Sequence, residues 1–418
     1  MVKTIRLFWC HSWRMAALMK IILLAFFIQS AVYGAEHNRI RRFIYNSDGG
    51  NIFIDKEPPM TPEDVYTYVD EVADTQITTY YICPNYGMPL IYSGQVTEMV
   101  GSLMEKEKRD QFMRDGYKSE KRGSLQRGVA NLDGLLKSGH DPIGLVVNRA
   151  REKGMEVFIT FRLNEIHDVQ NADSLIVSKF WRQHPEWRVG KHGDEIMPLF
   201  KEIIGGRPDH EVHPIVASWF PGAMNFAVPE VRALRLAELR ECCERYAIDG
   251  IDLDFQRFPI YFPQDEGHKQ VATMTDWVRS VHEMTREVGS ARGKPLLISA
   301  RILAKPEQNL AIGLDPVTWA QEGLVDFLVV SHYLRNDFPL PIADFRRQLP
   351  ETMPLYGSIE VEPKRETYRD IASTLWQDGV DGILMFNFFT GRENGKQPPF
   401  DLFHELGDPA TINTGNSE

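Results

Sequence analysis

The chain contains 418 residues, 43% of them hydrophobic and 25% charged, an ordinary composition for a globular protein with a sizeable core. A chain of this length forms either one large domain or two smaller ones. Its formal net charge of −11 at pH 7 and its lack of basic runs argue against nucleic acid as a partner.

Residues 1–35 have the layout of a secretory signal peptide. Basic residues precede an apolar run over residues 21–32, and small residues follow at Gly34 and Ala35, where cleavage fits. The run is short for a bilayer span, although an uncleaved membrane anchor is the alternative. We therefore expect a secreted or periplasmic protein without stable membrane insertion once the signal is removed.

Short β-branched and aromatic runs alternate with helical patterns along the rest of the chain. The runs are nearly continuously apolar, which is typical of parallel strands covered on both faces. The strands predicted from them are 41–45, 78–83, 156–162, 250–255, 296–302, 327–333, 355–360 and 382–388.

Helical patterns follow most of these strands. The first opens at Thr61 and Pro62, a capping residue followed by a proline at the first turn. Others cover residues 229–246, 269–288 and 366–377.

Eight strand-then-helix units predict an α/β fold, a closed (β/α)8 TIM barrel over residues 36–408, and the tail 409–418 is predicted to be disordered. Long loop insertions follow the second and third predicted strands. Because segments after strand C-termini build over the end of the barrel that carries active sites, we expect the functional residues there.

The fourth predicted strand carries the sharpest polar pattern. Asp252 and Asp254 are two residues apart, so on a strand they share a face, and two close carboxylates raise the pKa of one of them. We expect Asp254 to act as acid/base or nucleophile and Asp252 to tune its pKa. Asp249 is expected to close a turn with Gly250, and Arg257 to position substrate. A structural charge cluster is the alternative interpretation.

The seventh predicted strand ends in a second pair of acidic residues, Glu360 and Glu362. A carboxylate here could face Asp254 across the barrel and flank a scissile glycosidic bond. We therefore predict Glu360 as the opposing catalytic carboxylate.

Polar residues at the end of the third predicted strand suit substrate binding. Arg162 and Asn164 share a face and are expected to bind sugar hydroxyls or to orient a carboxylate. His167 and Asp168 follow in the loop. Three roles are open for this pair: a general base with the residue that orients it, two metal ligands, or an anchor that holds the loop by hydrogen bonds.

The remaining candidate substrate-binding residues come from other strand ends and insertions. Arg301 lies in an apolar run, where a guanidinium demands an acidic partner, with Asp254 or Glu360 as the natural candidates. Trp219 is expected to stack on a sugar ring. For His332, a structural role is the alternative to substrate binding. The other candidates are His332, Tyr333 and Asn387.

The sequence suggests neither a metal site nor a disulfide framework. After removal of the signal, the cysteines that remain are Cys83, Cys242 and Cys243, with no obvious pairing. We expect no metal and no organic cofactor.

Two segments resemble known families. Residues 225–232 (NFAVPEVR), followed by a helix and by 249–254 (DGIDLD), resemble the family 10-like glycosyl hydrolases, a bacterial barrel group. The resemblance covers most of residues 40–406 and implies the barrel fold and a glycoside hydrolase. The fourth strand also resembles the Asp-Gly-x-Asp-x-Asp-x-Glu signature of chitinase-type family 18. It departs from that signature where the catalytic Glu is expected, because Gln256 stands there.

These observations predict an exported glycoside hydrolase that cleaves a poly- or oligosaccharide. The arginines suggest sulfated or uronic-acid glycans as one option. The alternatives are a catalytically inactive glycan-binding barrel, which Gln256 favours, and a metal-dependent hydrolase or lyase that uses His167, Asp168 and His332.

Overall fold

The computed structural model describes residues 41–116, 120–360 and 364–412. The predicted signal peptide, Glu362 and residues 413–418 of the predicted tail lie outside these residues. Within the described part of the chain, no helix has both the length and the apolar character of a membrane span.

Eight parallel strands close into a barrel in which each strand pairs with the next along the chain and the last pairs with the first. The predicted (β/α)8 fold is therefore confirmed. The strands are β1 (Arg42–Ser47), β2 (Thr79–Ile82), β3 (Glu156–Arg162), β4 (Gly250–Asp254), β5 (Leu297–Leu303), β6 (Phe327–Ser331), β7 (Leu355–Ile359) and β8 (Gly382–Met385).

Two strands end at least two residues earlier than predicted. The chain leaves β6 after Ser331 and reaches a positive φ of 48° at Leu334, and it leaves β8 before Asn387, which has φ 52°. Left-handed backbone of this kind cannot continue a strand. His332, Tyr333 and Asn387 therefore lie in the loops after the strands rather than on them.

The described residues form 14 α-helices around the barrel. Helices α3–α5 lie in the insertion between β2 and β3, and α6–α9 lie between β3 and β4, as the long spacings predicted. The bounds are α1 (Gly50–Ile54), α2 (Pro62–Asp70), α3 (Lys106–Gly116), α4 (Glu120–Lys137), α5 (Pro142–Glu152), α6 (Lys179–Gln183), α7 (Pro198–Gly205), α8 (Pro214–Trp219), α9 (Pro229–Arg245), α10 (Val271–Arg292), α11 (Pro306–Ala311), α12 (Pro316–Gln321), α13 (Ile342–Arg346) and α14 (Arg365–Gln377).

The start of α2 shows how the sequence sets these bounds. The Thr61 hydroxyl accepts the Asp64 N–H at 3.4 Å, and the Asp64 carboxylate accepts the Thr61 N–H at 2.8 Å. This reciprocal capping box satisfies two backbone donors that a helix start leaves free, and Pro62 occupies the first turn, where no N–H is needed.

The interior of the barrel changes from apolar to charged along the strands. Across β3, β4 and β5, the aligned inward residues form three successive levels. From the N-terminal end to the C-terminal end these are Phe158, Gly250 and Leu297, then Thr160, Asp252 and Ser299, then Arg162, Asp254 and Arg301. The polar side chains therefore converge at the end where the βα-loops begin.

Gly250 is required by the packing of the apolar level. A Cβ atom at this position would lie 2.4 Å from the Phe158 ring and 2.5 Å from the Leu297 carbonyl oxygen. Large neighbouring side chains fill the lower interior, so β4 must begin with a residue that has no side chain.

The N-terminal end of the barrel carries a repeated carboxylate contact. Asp249, Asp326 and Asp381 each precede an even-numbered strand and accept a backbone N–H from the preceding strand, at 2.9, 2.7 and 2.8 Å. The donors are the N–H groups of Val157, Ile298 and Leu355. The expectation that Asp249 closes a turn with Gly250 is thus corrected, because its carboxylate ties β3 to β4 instead.

Candidate active site

One guanidinium joins the two predicted carboxylates at the C-terminal end of the barrel. Arg301 Nη1 lies 3.2 Å from Asp254 Oδ1, and Arg301 Nη2 lies 2.7 Å from Glu360 Oε1. The three side chains come from β5, from β4 and from the residue after β7, and each is at most 2% exposed. Arg301 has both partners that the sequence proposed as alternatives.

The backbone after β4 holds Asp254 as an acceptor. The N–H groups of Gln256 and Arg257 both donate to Asp254 Oδ1 at 3.0 Å. Aspartate commonly accepts from amides two and three residues ahead, which folds the chain into a turn at the strand end. With Arg301, Oδ1 receives three donors, which hold the Asp254 carboxylate in a fixed position at the strand end.

The two oxygens of Glu360 have very different surroundings. Oε1 contacts Arg301 Nη2, Ser331 Oγ at 2.5 Å and Ser358 Oγ at 2.9 Å. Oε2 is buried and has no hydrogen-bond partner among the described residues. A buried oxygen without a hydrogen bond lowers stability, so a bound group that donates a hydrogen bond to Oε2 would remove that cost.

Asp252 lies one level deeper than Asp254. The hydroxyls of Thr160 and Ser299 donate to its two oxygens at 2.7 and 2.6 Å. Burial, followed by the neighbouring charge of Asp254, raises the pKa of Asp252 to about 7, in spite of these hydrogen bonds. Asp252 therefore exchanges its proton near neutral pH.

A second chain of charged contacts runs along the β3 side of the site. Arg162 contacts Asp48 and lies 3.2 Å from Glu165 Oε2, while Glu165 Oε1 contacts the His167 ring at Nδ1. His167 Nε2 lies 2.9 Å from Arg257 Nη2. Alternating signs keep each buried charge next to an opposite one or next to a neutral acceptor.

The contact with Arg257 determines the tautomer of His167. A guanidinium can only donate, so Nε2 must accept and the ring proton lies on Nδ1, toward Glu165. Burial would raise the pKa of Glu165, but its contact with His167 and the charges of Arg162 and Arg257 outweigh burial and lower it.

Of the three roles proposed for His167 and Asp168, the structure favours a loop anchor for Asp168. The Asp168 carboxylate accepts from Ser174 Oγ at 2.8 Å and from Gln170 Nε2 at 3.1 Å, and its backbone has φ 64°. The turn at Asp168 directs its carboxylate to its own loop, so it is a loop anchor, and Glu165 takes the place beside His167.

Asn164 also holds loops together. Its amide nitrogen donates to the carbonyl oxygens of Met224 and Ile260 at 2.9 and 2.5 Å, and its oxygen accepts the Met224 N–H at 3.0 Å. The residue is 0% exposed. Its position therefore ties the β3 loop to the two segments that approach it, and no polar atom remains for a substrate in this arrangement.

The remaining predicted residues surround the site at different depths. The Trp219 ring is half-buried and lies 5.1 Å from that of His167, and Tyr333 is buried with its ring 6.4 Å from that of Phe258. Burial, followed by the charge of Arg335, lowers the pKa of His332 to about 4, so its imidazole is neutral. Asn387 Oδ1 is buried and without a partner among the described residues.

Sequence reasoning missed Asp48 and Glu165 as members of the site. Both are acidic residues close after a predicted strand end, which is the signal that could have identified them. Gln256, noted only for replacing a glutamate, is 1% exposed and donates to the Ser331 carbonyl at 2.6 Å. Its Oε1 has no partner in the part of the chain that the structure describes.

No group of three or more His, Cys, Asp or Glu side chains able to hold a metal ion occurs among the residues that the structure describes. His167 and Asp168 have separate partners, as described above. Cys83, Cys242 and Cys243 are free and buried.

Comparison with solved structures shows a similar fold in a glycoside hydrolase domain. The PgaB (BpsB) glycoside hydrolase domain from Bordetella bronchiseptica has a TM-score of 0.51 at 9% identity, over 88% of this chain and 99% of that domain. The endo-beta-1,4-mannanase from Thermotoga petrophila has a TM-score of 0.47 at 12% identity, over 91% and 79%. A family 18 N-acetylglucosaminidase from Paenibacillus barengoltzii has a TM-score of 0.43 at 10% identity, over 87% and 99%.

No protein-family model matches the sequence, and no curated protein is similar to it in sequence. The likeness to solved structures at 9% identity concerns the fold alone. The chain has the (β/α)8 barrel architecture of glycoside hydrolase domains.

Proposed function

We propose that the chain hydrolyses the glycosidic bond of a poly- or oligosaccharide. The observation that carries this proposal is the meeting of Asp254 and Glu360 on Arg301 at the C-terminal end of the barrel. Because both carboxyl groups contact the same guanidinium, the distance between them is within the upper limit of roughly 9.5 Å for the two catalytic carboxyl groups of glycosidases. Barrel enzymes also place their chemistry at this end.

The hydrogen bonds suggest a division of roles between the two carboxylates. Two backbone N–H groups and Arg301 donate to Asp254 and fix its position, which suits a nucleophile or a base for water. Glu360 Oε2 has no partner among the described residues, so it is the atom suited to exchange a proton with the glycosidic oxygen. Asp252 adjusts the field at Asp254 through its own charge state.

The polar atoms left without partners suit a polyhydroxyl ligand. Asn46 Oδ1, Gln256 Oε1 and Asn387 Oδ1 are buried acceptors at or beyond strand ends with no donor among the described residues. Sugar hydroxyls can donate to such acceptors. The half-exposed Trp219, next to His167, offers an aromatic surface for a sugar ring.

We extend the proposal to location and family. The basic, apolar and small segments of residues 1–35 support export to the periplasm or the medium. The NFAVPEVR segment at 225–232 and the acidic fourth strand support membership of the family 10-like glycosyl hydrolases. N-terminal sequencing of the protein from an extracellular fraction tests the first, with an uncleaved Met1 or Met15 as the contrary result.

The hydrolase proposal is tested by measuring reducing ends released from a panel of neutral, uronate and sulfated polysaccharides. We expect one class to be cleaved, and Asp254→Asn and Glu360→Gln each to lower turnover by about 100-fold or more. Asp326→Asn is the matched control, because it neutralises a buried carboxylate at the opposite end of the barrel. Near wild-type turnover in folded Asp254→Asn protein would refute the proposal.

A glycan-binding barrel without turnover is the second candidate. It is favoured by the burial of the carboxylate pair, at most 2% exposed, and by Gln256 at the position of the family 18 acid. Calorimetry distinguishes the two. Tight binding of a polysaccharide from which no reducing ends are released selects the binding protein.

A further inference from the structure

The three arginines of the site differ in how their charge is neutralised. Arg162 contacts the carboxylates of Asp48 and Glu165, and Arg301 contacts those of Asp254 and Glu360. Arg257 forms no ion pair with a carboxylate of any described residue. It is also half-exposed, whereas the other two are buried.

The contacts of Arg257 are with neutral groups. Its Nη2 donates to His167 Nε2 at 2.9 Å, and its guanidinium carbon lies 4.6 Å from the centroid of the Phe258 ring. Glu165 is its indirect neighbour, but the two oxygens of Glu165 are engaged by His167 and Arg162. Because no carboxylate of a described residue neutralises this half-buried guanidinium, its positive charge can attract an anionic ligand.

The site contains buried donors and buried acceptors that have no hydrogen-bond partner among the described residues. Glu360 Oε2, Gln256 Oε1 and Asn46 Oδ1 are acceptors, and their residues are at most 4% exposed. Arg257 Nε and Trp219 Nε1 are donors, and His167 contacts both residues. A ligand that carries both hydroxyl donors and acceptor oxygens would satisfy both sets.

We propose that Arg257 binds an oxyanion substituent, a carboxylate or a sulfate, of the glycan that this site takes. The inference rests on the proposed function, because it assigns the substrate class of the same site. The guanidinium of an arginine is cationic at every physiological pH, and its N–H groups can donate to the oxygens of a planar carboxylate or of a tetrahedral sulfate. The chain as a whole carries a formal charge of −11, so a local cation is what allows an anionic polymer to approach.

The test compares polymers that differ only in charge. Binding of the full protein is measured by calorimetry with polygalacturonate and its methyl ester for the carboxylate arm, and with chondroitin sulfate and desulfated chondroitin for the sulfate arm. We expect the wild type to prefer the more anionic member of one pair, and Arg257→Gln to weaken that binding on the order of 10- to 100-fold while binding of the less anionic member is unchanged. Arg257→Lys should retain part of the preference.

Arg188→Gln is the matched control. Arg188 lies in the insertion between β3 and β4, stacks on an aromatic ring with its guanidinium carbon 3.3 Å from the centroid of Trp181, and belongs to a separate cleft. Its removal should leave the preference intact.

The outcomes separate this inference from the hydrolase proposal. The role of Arg257 would be overturned if the protein preferred the less anionic polymers. It would also be overturned if Arg257→Gln left a preference for the more anionic polymers unchanged. In both cases the hydrolase proposal stands if reducing ends are released. Binding that depends on Arg257 without any release of reducing ends would retain the anion site and refute the hydrolase. Failure to bind any of the four polymers counts against the anion site.

Discussion

The two ends of the barrel use the same residue types in different ways. At the N-terminal end, Asp249, Asp326 and Asp381 accept backbone N–H groups of neighbouring strands. At the C-terminal end, Asp254 and Glu360 share the side chain of Arg301. One set of carboxylates ties strands together, and the other is gathered at a single point.

The difference lies in what remains unsatisfied. The aspartates of the N-terminal end accept hydrogen bonds from backbone N–H groups of the barrel itself, which is typical of a stabilising role. The C-terminal end retains buried oxygens without partners in the described chain, on Asn46, Gln256, Glu360 and Asn387. Unpartnered buried oxygens cost stability, so they are consistent with the proposal that the C-terminal end binds a ligand while the N-terminal end stabilises the fold.

Arg301→Met should have the largest effect. It leaves the Asp254 and Glu360 carboxylates buried without their cation, and we expect the free energy of unfolding to fall by about 3–5 kcal/mol and turnover to be lost. Urea denaturation measures the first. Adding Asp254→Asn and Glu360→Gln should restore most of the stability, and a loss below about 1 kcal/mol in the single variant would show that the pair needs no cation.

Asp252→Asn should change how stability depends on pH. The pKa of Asp252 is about 7 in the folded state, above its ordinary value of about 4, so between these values the folded state binds more protons than the unfolded state. Stability must therefore fall as pH rises from about 4 to about 7, by on the order of 4 kcal/mol for this group. Thermal unfolding at pH 5 and pH 8 should show a smaller difference in the variant, and an unchanged difference would contradict the assignment.

Asp326→Ala compared with Asp326→Asn isolates one backbone contact of the N-terminal end. Asparagine can still accept the Ile298 N–H, whereas alanine leaves that donor unpaired, which costs about 1–3 kcal/mol. Neither variant should affect turnover or glycan binding, because the position is at the far end of the barrel. Loss of turnover in folded Asp326→Asn protein would break the division between the two ends.

Lys294→Ala should have the smallest effect. Lys294 pairs with Asp249 on the surface, where the lysine side chain is 47% exposed and solvent screens the pair. We expect a change below about 1 kcal/mol, measured by urea denaturation at low and high salt. A larger loss would mean that the surface pair supports the contact of Asp249 with Val157.

Local patterns in the sequence predicted much of this architecture. The bounds of β3 are those predicted, α9 differs by one residue at its end, and the capping residue before α2 acts as expected. These features depend on side-chain period and on caps within a few residues, which are properties of the chain itself. The two-residue spacing of Asp252 and Asp254 also sufficed to place both inside the barrel.

The loops after the strands could not be read in the same way. Asp168 directs its carboxylate to Ser174 and Gln170, while Glu165 supports His167, although the sequence places Asp168 next to the histidine. A single turn with a positive φ decides which of two acids faces the site, and no periodicity predicts such a turn. The partners of Asn164 come from segments 60 and 96 residues away along the chain.

Periodicity along the chain was enough to predict eight buried strands alternating with helices, with acidic and basic residues at their C-terminal ends. The folded barrel was needed to show that Asp254, Arg301 and Glu360 form one contact and that Arg257 lacks a carboxylate partner among the described residues. The physical reason is that strand identity follows from local periodicity, whereas contacts between strands distant in the chain depend on barrel closure and on the path of each loop.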